Sequence, residues 1–318
     1  MARPARNPAV SGAPVGVLVM AHGTPATLDE LPGFYTEIRR GRPPSADQLA
    51  ELEGRYRAIG GPSPLNALTA SQAAGIARAL EGTEPGGFVV RHGNRFADPR
   101  IEHAAEELAG AGASQVVGLV LAPHSSRASV GEYARRAGDA TAARGQRLDM
   151  VDHFYDAPGF DALVAGRVTE ALASLPAAAR SAASVLFTAH SIPTALVETG
   201  DDYPEQVAAS ARAVAERAGL RRFCVAWQSA GRTEQQWLGP DVRDVIATEG
   251  SQGVPAVVVC PIGFVSDHLE VLYDVDVEAR AAADRAGVAF ARTASFNDDP
   301  EFCALLAAVV RDRAGPVP

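Results

Sequence analysis

Eight short apolar runs recur along the chain, and stretches with helical periodicity separate them. The runs are rich in Val and lack polar alternation, which is typical of strands buried on both faces of a sheet. They lie at residues 15–21, 87–91, 115–121, 147–151, 184–189, 222–227, 255–260 and 287–291. Amphipathic helices are predicted at 66–80, 101–110, 128–144, 203–218 and 267–286. Because strands alternate with helices, we expect right-handed crossovers and a parallel α/β fold.

One pattern occurs twice in the chain: a strand followed by Ala, His, a small residue, any residue and Pro. It places His22 and His190 at the same position of the repeat. In each half a later strand also ends in proline, at Pro123 and Pro261. Two matches in the same order favour two similar α/β halves over chance likeness between Val-rich strands. Ligands of open α/β sheets bind beyond the carboxyl ends of the strands, so we expect both imidazoles at one cleft between the halves.

The repeat predicts how the chain divides into domains. We expect a flexible tail at 1–14, a first Rossmann-like domain at 15–158 and a second at 159–318. The boundary falls near 155–162. The last helix, 300–313, is expected to cross back onto the first domain.

The composition excludes several classes of protein. A net charge of −9 argues against general nucleic-acid binding, which needs a basic face. The apolar runs are shorter than the roughly 20 residues that a membrane helix needs. The three cysteines, Cys224, Cys260 and Cys303, are widely spaced and form no CxxC pair, which disfavours a zinc site and an iron–sulfur cluster. A disulfide framework is equally unexpected, so we expect a cytoplasmic protein.

Common catalytic motifs are also absent from the sequence. No GxGxxG follows the first strand and no P-loop occurs, so nucleotide binding is poorly supported. Neither a GxSxG nucleophile elbow nor an HExxH zinc motif is found. The chemistry therefore has to come from other polar residues.

His190 and Glu270 are the first candidates for a metal site. His190 follows a strand, and a neutral imidazole can bind ferrous iron or accept a proton near neutral pH. A histidine that only satisfies backbone groups in a turn fits the same position. Glu270, Asp274 and Glu278 fall at i, i+4 and i+8 on one helical face, where oxygen ligands would suit a hydrated divalent cation. A capping box of Asp267 and Glu270, or a solvated acidic face, explains the same spacing without a metal.

Basic residues suggest how an acidic ligand could be held. Arg39, Arg40 and Arg42, then Arg55 and Arg57, lie near one another in a chain with little other clustered positive charge. Arginine forks bind carboxylates well, although cations at a helix C-terminus need no ligand to explain them.

Aromatic residues suggest a surface for a flat ligand. Trp227, Trp237 and Tyr133 can stack on a macrocycle, and Trp227 is included among the predicted ligand-binding residues. Ordinary core aromatics are the alternative for each of them.

Together these segments resemble the ferrochelatase family over nearly the whole chain, from about residue 14 to 312. The likeness is to the short, soluble bacterial branch that acts on coproporphyrin. It rests on eight segments in the same order, which are 20–25 (MAHGTP), 38–42 (IRRGR), 59–65 (IGGPSPL), 121–124 (LAPH), 189–193 (AHSIP), 227–229 (WQS), 237–241 (WLGPD) and 263–274 (GFVSDHLEVLYD). The last segment is long and highly specific.

The resemblance implies two similar Rossmann-like, doubly wound parallel-sheet domains with a porphyrin cleft between them, the chelatase-like architecture. It implies a lyase that inserts Fe²⁺ into coproporphyrin III to give Fe-coproporphyrin for haem biosynthesis. His190 and Glu270 match the family's metal site, and Asp274 and Glu278 match the acidic helix face that leads to it. The positions that match the porphyrin pocket are Arg39, Arg55, Tyr56, Ser63 and Tyr133.

His22 departs from the pattern of this branch. It stands where better-known relatives have a tyrosine that faces the metal from the other side of the ring, and a histidine there can still serve as an axial ligand. Members with an iron–sulfur cluster carry extra cysteines, mostly in a C-terminal extension. The sequence stops at Pro318 without them, so we expect no cluster and no permanently bound cofactor, with Fe²⁺ as a substrate. The acidic helix face would also suit a divalent cation such as Mg²⁺.

Three other functions fit parts of the sequence. A protoporphyrin IX ferrochelatase would share every motif, but four propionates on coproporphyrin suit several arginines better. A cobalt or iron chelatase of the corrin or sirohaem pathways shares the fold but lacks the 263–274 motif in this form. A porphyrin or haem carrier needs the cleft but no acidic path for a metal. By resemblance we also expect a monomer that contacts neighbouring haem-pathway enzymes transiently.

Overall fold

Two parallel sheets of four strands form the centre of the structure, and both have the same topology. The structure, a computed structural model, describes residues 12–231 and 233–316, so most of the predicted tail lies outside it. The first sheet has the order β2-β1-β3-β4, with β1 (Val15–Ala21), β2 (Phe88–Asn94), β3 (Gln115–Val120) and β4 (Arg147–Val151). The second has the order β6-β5-β7-β8, with β5 (Ser184–His190), β6 (Phe223–Gln228), β7 (Ala256–Cys260) and β8 (Ala289–Arg292). Every predicted strand is present, and the α/β prediction with two similar sheets is confirmed.

Helices connect the strands. In the first half they are α1 (Leu31–Ile38), α2 (Ala46–Ala58), α3 (Leu65–Thr83), α4 (Ile101–Gly110) and α5 (Val130–Ala142), after a 3₁₀ turn at Leu28–Glu30. In the second half they are α6 (Phe160–Ser174), α7 (Ala177–Arg180), α8 (Thr194–Glu198), α9 (Tyr203–Arg217), α10 (Val242–Ser251), α11 (Leu269–Leu272), a π-helix at Asp274–Ala279, α12 (Arg280–Ala286) and α13 (Pro300–Ala314). Within 12–231 and 233–316, no helix is both long enough and apolar enough to cross a bilayer.

The strands β1 and β5 occupy equivalent places in their sheets. β1 pairs in parallel with β2 and β3, and β5 pairs in parallel with β6 and β7. All residues of β1 are buried, which explains its run of Val, Leu and Met without polar residues. After β1 the chain forms β2 on one side of it and then crosses to form β3 on the other side, and the chain around β5 follows the same course. The carboxyl ends of β1 and β5 therefore lie at topological switch points, where a crevice opens in an open α/β sheet.

One hydrophobic core joins the two sheets. It includes Val17 and Val117 of the first sheet, Phe187 and Val258 of the second, and the buried sides of α3, α6, α9 and α13. Separate cores lie under α4 and α5 in the first half and under α10 and α12 in the second. Each sheet is therefore covered on both faces, as a doubly wound parallel sheet requires.

Helix α13 packs on the first half of the molecule. It lies against α3, and Gly75 of α3 allows the close approach, because a Cβ there would lie 2.5 Å from Sγ of Cys303. The Gln115 side chain in β3 donates a hydrogen bond to the Ala314 carbonyl at 3.1 Å. The division into domains near 155–162 stays a prediction.

The predicted continuous helix over 267–286 is wrong in its middle. After α11 the chain continues as a π-helix, in which the N–H of Glu278 donates to the carbonyl of Tyr273, five residues earlier, at 3.0 Å. A regular α-helix resumes at Arg280. Such π-helical turns insert an extra residue into a helix and are frequent at functional sites.

The start of α11 also differs from the capping-box interpretation. His268 precedes the helix, and no side chain caps its first N–H groups. The Asp267 carboxylate instead accepts hydrogen bonds from Ser295 at 2.8 Å and Asn297 at 3.0 Å. Asp267 is held by the segment after β8, so it does not form a capping box with Glu270.

Candidate active site

The two repeated histidines lie at the carboxyl ends of equivalent strands. His190 is the last residue of β5, and His22 directly follows β1. In each ring Nδ1 is hydrogen-bonded to the carbonyl of the next residue, at 3.0 Å for Gly23 and 2.5 Å for Ser191. Because a carbonyl oxygen only accepts, Nδ1 carries the proton in both rings. Nε2 is left to bind a metal or a second proton.

Glu270 faces His190 from the start of α11. Its Oε1 lies 3.5 Å from Nε2 of His190, and the two side chains are 34% and 37% exposed. The backbone carbonyl of Glu270 accepts a hydrogen bond from the Gln228 side chain at 2.9 Å. Gly263 lets the segment before α11 pass close to β5, because a Cβ on it would lie 2.6 Å from the Cβ of Ala189. The end of β5 and the start of α11 are therefore held together at this pair.

Electrostatics make His190 and Glu270 an ion pair at neutral pH. Burial favours the neutral imidazole, but the Glu270 carboxylate, the Ser191 carbonyl and the Asp274 charge together outweigh burial and raise the pKa of His190 to about 9. Burial likewise favours the neutral acid, but the charge on His190 keeps the pKa of Glu270 well below its ordinary value. A divalent cation that binds here must displace the proton on His190.

His268 is a third donor that the sequence reasoning missed. Its Nε2 lies 3.6 Å from Oε2 of Glu270, and its Nδ1 is hydrogen-bonded to the Ser266 carbonyl at 3.1 Å. Each carboxylate oxygen of Glu270 thus has an imidazole beside it. The available signal was its place two residues before Glu270 in the long 263–274 motif.

These donors do not form a closed metal cage. In the part of the chain that the structure describes, no three or more His, Cys, Asp or Glu side chains are arranged to hold a metal ion together. An open set of one imidazole and one carboxylate leaves positions for water or substrate, as catalytic metal sites do. The arrangement suits a cation that is passed on.

Asp274 makes a contact between the two halves. It is 4% exposed, and its carboxylate accepts hydrogen bonds from the Arg55 guanidinium and the Ser229 hydroxyl. Burial outweighs the nearby arginine and raises the pKa of Asp274 to about 6. Glu278 lies further along the π-helix, 3.3 Å from Arg243. Two of the three acids in the predicted row are thus already engaged by arginines.

His22 has aromatic neighbours where His190 has an acid. The rings of Phe34 and Phe96 lie 6.1 and 4.8 Å from its own ring. His22 is exposed, yet the surrounding protein reduces its hydration and lowers the pKa of its imidazole. The negative charge of Glu270 also acts on His22 and opposes this lowering. A neutral Nε2 is therefore available from this side.

Tyr56 and Ser63 are buried supports in the first half. Tyr56 is 2% exposed, and its hydroxyl is hydrogen-bonded to that of Thr24 at 2.9 Å, two residues after His22. Ser63 is 8% exposed and accepts a hydrogen bond from the N–H of Leu65 at the start of α3. Their contact with a porphyrin stays a prediction.

Arg39 and Tyr133 also have partners within the protein. The Arg39 guanidinium lies 5.5 Å from the Tyr35 ring at the end of α1. Tyr133 is 6% exposed in α5, with the Arg95 guanidinium 5.8 Å from its ring. The structure does not bring either residue into contact with His190 or Glu270, so their role in porphyrin binding stays a prediction.

Trp227 lies in the hydrophobic core, as the core-aromatic alternative expects. It is 6% exposed in β6 and packs against Tyr203, with ring centroids 5.8 Å apart. Its contact with a porphyrin stays a prediction. Trp237 lies nearer the metal pair, with 6.3 Å between its ring and that of His190. In the sequence Trp237 stands out as a member of the same aromatic group and as the first residue of the 237–241 segment.

A groove of about 900 Å³ lies in the first half of the molecule, between residues of α1 and α5. Its lining includes Arg40, Arg95 and Phe96, and the Arg95 guanidinium lies 4.8 Å from the Phe96 ring. His22, His190 and Glu270 do not line this groove, so the metal site is assigned from the contacts of His190 and Glu270.

Comparison with known proteins gives matches over nearly the whole chain. The sequence profile described as Ferrochelatase matches residues 14–314. A ferrochelatase of Herpetosiphon aurantiacus is 39% identical over 300 residues, covering 94% of this chain and 98% of the relative. The coproporphyrin III ferrochelatase of Bacillus subtilis is 41% identical over 304 residues, covering 95% of this chain and 98% of the relative.

Solved structures with the same fold include chelatases. The sirohydrochlorin chelatase SirB from Bacillus subtilis subspecies spizizenii, in complex with cobalt, has a TM-score of 0.55 at 13% identity, and the match covers 95% of each chain. At this identity the likeness shows the fold alone. The prediction of a chelatase-like architecture with two Rossmann-like parts is confirmed.

Proposed function

This chain belongs to the ferrochelatase family, and from that premise we propose that it inserts Fe²⁺ into coproporphyrin III to give Fe-coproporphyrin. The observation that carries the proposal is the His190–Glu270 pair, whose Nε2 and Oε1 lie 3.5 Å apart, in a chain 41% identical to a coproporphyrin III ferrochelatase. The reaction is a metal chelation, which we place in the lyase class, within haem biosynthesis.

Binding of the porphyrin prepares the ring for insertion. A planar ring shields its nitrogens, so the site has to bend the ring to expose their lone pairs. Contacts with the propionates and the ring faces supply the binding energy that offsets this distortion. His22, Phe34 and Phe96 provide an aromatic surface for one face, and Arg55 is suited to a propionate.

Binding of the metal removes a proton from the resting pair. Hydrated Fe²⁺ exchanges water for Nε2 of His190 and the carboxylate of Glu270. Since the pKa of His190 is raised to about 9, its imidazole is protonated at neutral pH and must release that proton when the metal binds. Once released from Arg55 and Arg243, Asp274 and Glu278 would supply further oxygen ligands on the approach, and these would also suit a divalent cation such as Mg²⁺.

Insertion then restores the pair. The porphyrin loses two pyrrole protons as iron binds its four nitrogens. One of these protons returns to the vacated His190–Glu270 pair, and the other leaves to water. Each turnover therefore releases two protons, one when the metal binds and one when it enters the ring.

The proposal is tested by anaerobic turnover with Fe²⁺ and either coproporphyrin III or protoporphyrin IX, followed by absorbance. We expect many turnovers on coproporphyrin III and a kcat/KM at least about tenfold above that for protoporphyrin IX, because two more carboxylates bind arginine. A preference for protoporphyrin IX would identify the other ferrochelatase activity. Binding of one equivalent without turnover would identify a carrier, and turnover of sirohydrochlorin would identify a sirohaem-type chelatase.

We further propose that the enzyme works as a monomer in the cytoplasm and meets neighbouring haem-pathway enzymes transiently. The three cysteines are free thiols, two of them buried, which suits a reducing compartment. Light scattering during gel filtration tests the oligomeric state.

A further inference from the structure

An ion pair beside the metal pair joins the two halves of the molecule. Arg55 comes from α2 in the first half, and Asp274 is the first residue of the π-helix in the second. The Arg55 guanidinium engages one carboxylate oxygen of Asp274, and the Ser229 hydroxyl engages the other. The same guanidinium lies 4.7 Å from the ring of Tyr273. Both oxygens of Asp274 are therefore already engaged.

Each partner of this ion pair is also suited to a substrate. A guanidinium fork binds carboxylates, and a porphyrin propionate is a carboxylate like that of Asp274. Asp274 offers oxygen, which a divalent cation prefers. While Arg55 is paired with Asp274 and lies against Tyr273, it cannot give its full fork to a propionate. A propionate and Asp274 thus compete for one guanidinium.

We propose that a propionate of the porphyrin takes Arg55 from Asp274, so that binding of the first substrate releases an oxygen ligand for the second. The inference rests on the proposed function, because it needs a porphyrin that carries carboxylates. Asp274 acts in this account as a positioning residue that holds Arg55 until the porphyrin arrives. The porphyrin then binds before the metal can use Asp274.

The surroundings of Asp274 explain why its release favours metal binding. Its side chain is 5% exposed, and a carboxylate this buried is unstable once its arginine has left. The negative charges of Glu270 and Glu278 also act on it. A divalent cation replaces the lost positive charge, so withdrawal of Arg55 makes this position more receptive to Fe²⁺.

A double-mutant cycle on porphyrin binding tests the coupling without any metal. Metal-free coproporphyrin III is titrated against each protein in the presence of a chelator, and its fluorescence gives Kd. Asp274→Asn frees Arg55 and should lower Kd by roughly three- to tenfold. Arg55→Gln should raise Kd about tenfold. The double variant should match Arg55→Gln, because Asp274 acts only through Arg55.

A matched control separates this effect from general charge repulsion. Asp276→Asn removes the same charge from the same π-helix, but Asp276 is paired with Arg292 at 2.8 Å. Its Kd should stay within about twofold of the wild type. The coupling is overturned if Asp274→Asn leaves Kd unchanged, or tightens it equally when Arg55 is already Gln. If the wild type itself does not bind coproporphyrin III, the proposed substrate fails instead.

If Asp274→Asn does not fold, a second measurement tests the same coupling through Arg55. Calorimetric titration with Co²⁺, without porphyrin, should show roughly threefold tighter binding to Arg55→Gln than to the wild type, because Asp274 is then released. Arg57→Gln is the control, since Arg57 lies on the same helix and pairs with Glu53. Equal gains in both variants, or no gain in either, would overturn the coupling.

Discussion

The two halves share a strand order and a strand-end motif, yet their histidines have opposite electrostatic surroundings. His22 lies against Phe34 and Phe96, and the pKa of its imidazole is lowered. His190 faces Glu270, which raises its pKa to about 9. The repeated strands set where each imidazole stands. The segments that are not repeated decide whether it carries a charge, so the shared scaffold alone does not define the chemistry.

In the proposed site, this difference gives a ligand that binds between the two histidines two unlike surroundings. A protonated imidazole beside a carboxylate can exchange its proton for a cation. A neutral imidazole among aromatic rings can contact a flat ring and offer one nitrogen to a metal within it. Iron is therefore expected to arrive from the His190 side. Substitutions at the two histidines and at Glu270 should then have different effects.

Replacing His190 with alanine should have the largest effect. His190→Ala removes the nitrogen donor and should lower kcat for iron insertion by about 10³-fold. Coproporphyrin III should still bind with a Kd within about threefold, since propionates and ring faces supply most contacts. Anaerobic turnover and fluorescence titration measure the two quantities. His103→Ala, at a histidine paired with Glu107 on α4, is the control. A kcat within tenfold of the wild type would assign the metal site elsewhere.

Glu270→Gln should have the next largest effect, with kcat lowered about 10²-fold. It also changes how Co²⁺ binding depends on pH. In the wild type His190 must lose a proton, so the affinity for Co²⁺ should rise about tenfold per pH unit up to about pH 9. Without the carboxylate the pKa of His190 falls toward 6.5 or below, and the affinity should level off at a lower pH. Coinciding pH profiles would mean that Glu270 does not control the proton on His190.

His22→Ala should have a smaller effect, because His22 does not deliver the metal. We expect about tenfold lower kcat and unchanged binding of Co²⁺ to the free enzyme. The absorption spectrum of the bound iron coproporphyrin should lose the features of a histidine ligand. A loss of activity as large as that of His190→Ala would make the two sides equivalent and break the comparison.

The positions of both histidines could be predicted, because a Val-rich strand and its end are local features of the sequence. The charge on His190 could not, since it depends on Glu270, which a segment far along the chain brings within 3.5 Å. The Arg55–Asp274 contact escaped for the same reason, as it joins the two halves. The burial of Trp227 could not be predicted either, because a stacking surface and a core residue look alike in sequence.

The π-helix has a signal in the sequence. Val271, Val275, Ala279 and Ala283 are buried and recur every four residues, where an α-helix has 3.6 residues per turn. A repeat of four suits the wider turn that the structure shows between Asp274 and Ala279. The same spacing keeps Glu270, Asp274 and Glu278 on one face. In a regular α-helix, residues four apart would shift gradually around the helix axis.

Replacing the residue that follows His190 should have the smallest effect, and the two halves differ at this position. Gly23 has a φ of 80°, which favours glycine, whereas the fully buried Ser191 donates its hydroxyl to the Leu238 carbonyl at 2.8 Å. Ser191→Ala should lower the free energy of unfolding by about 1 kcal/mol, because that carbonyl loses its partner. Urea denaturation measures this, and Ser251→Ala, on the surface, should change it by less than about 0.5 kcal/mol.

The size of this loss tells how the second half fixes its histidine. The Ser191 hydroxyl ties the end of β5 to the segment that carries Trp237, whose ring lies 6.3 Å from His190. If backbone pairing already holds His190, as the backbone turn at Gly23 holds His22, the Ser191→Ala variant should keep its Co²⁺ affinity within about twofold. A loss above about 3 kcal/mol together with weaker Co²⁺ binding would contradict this. The position of His190 would then depend on one side chain, whereas the position of His22 depends on backbone conformation.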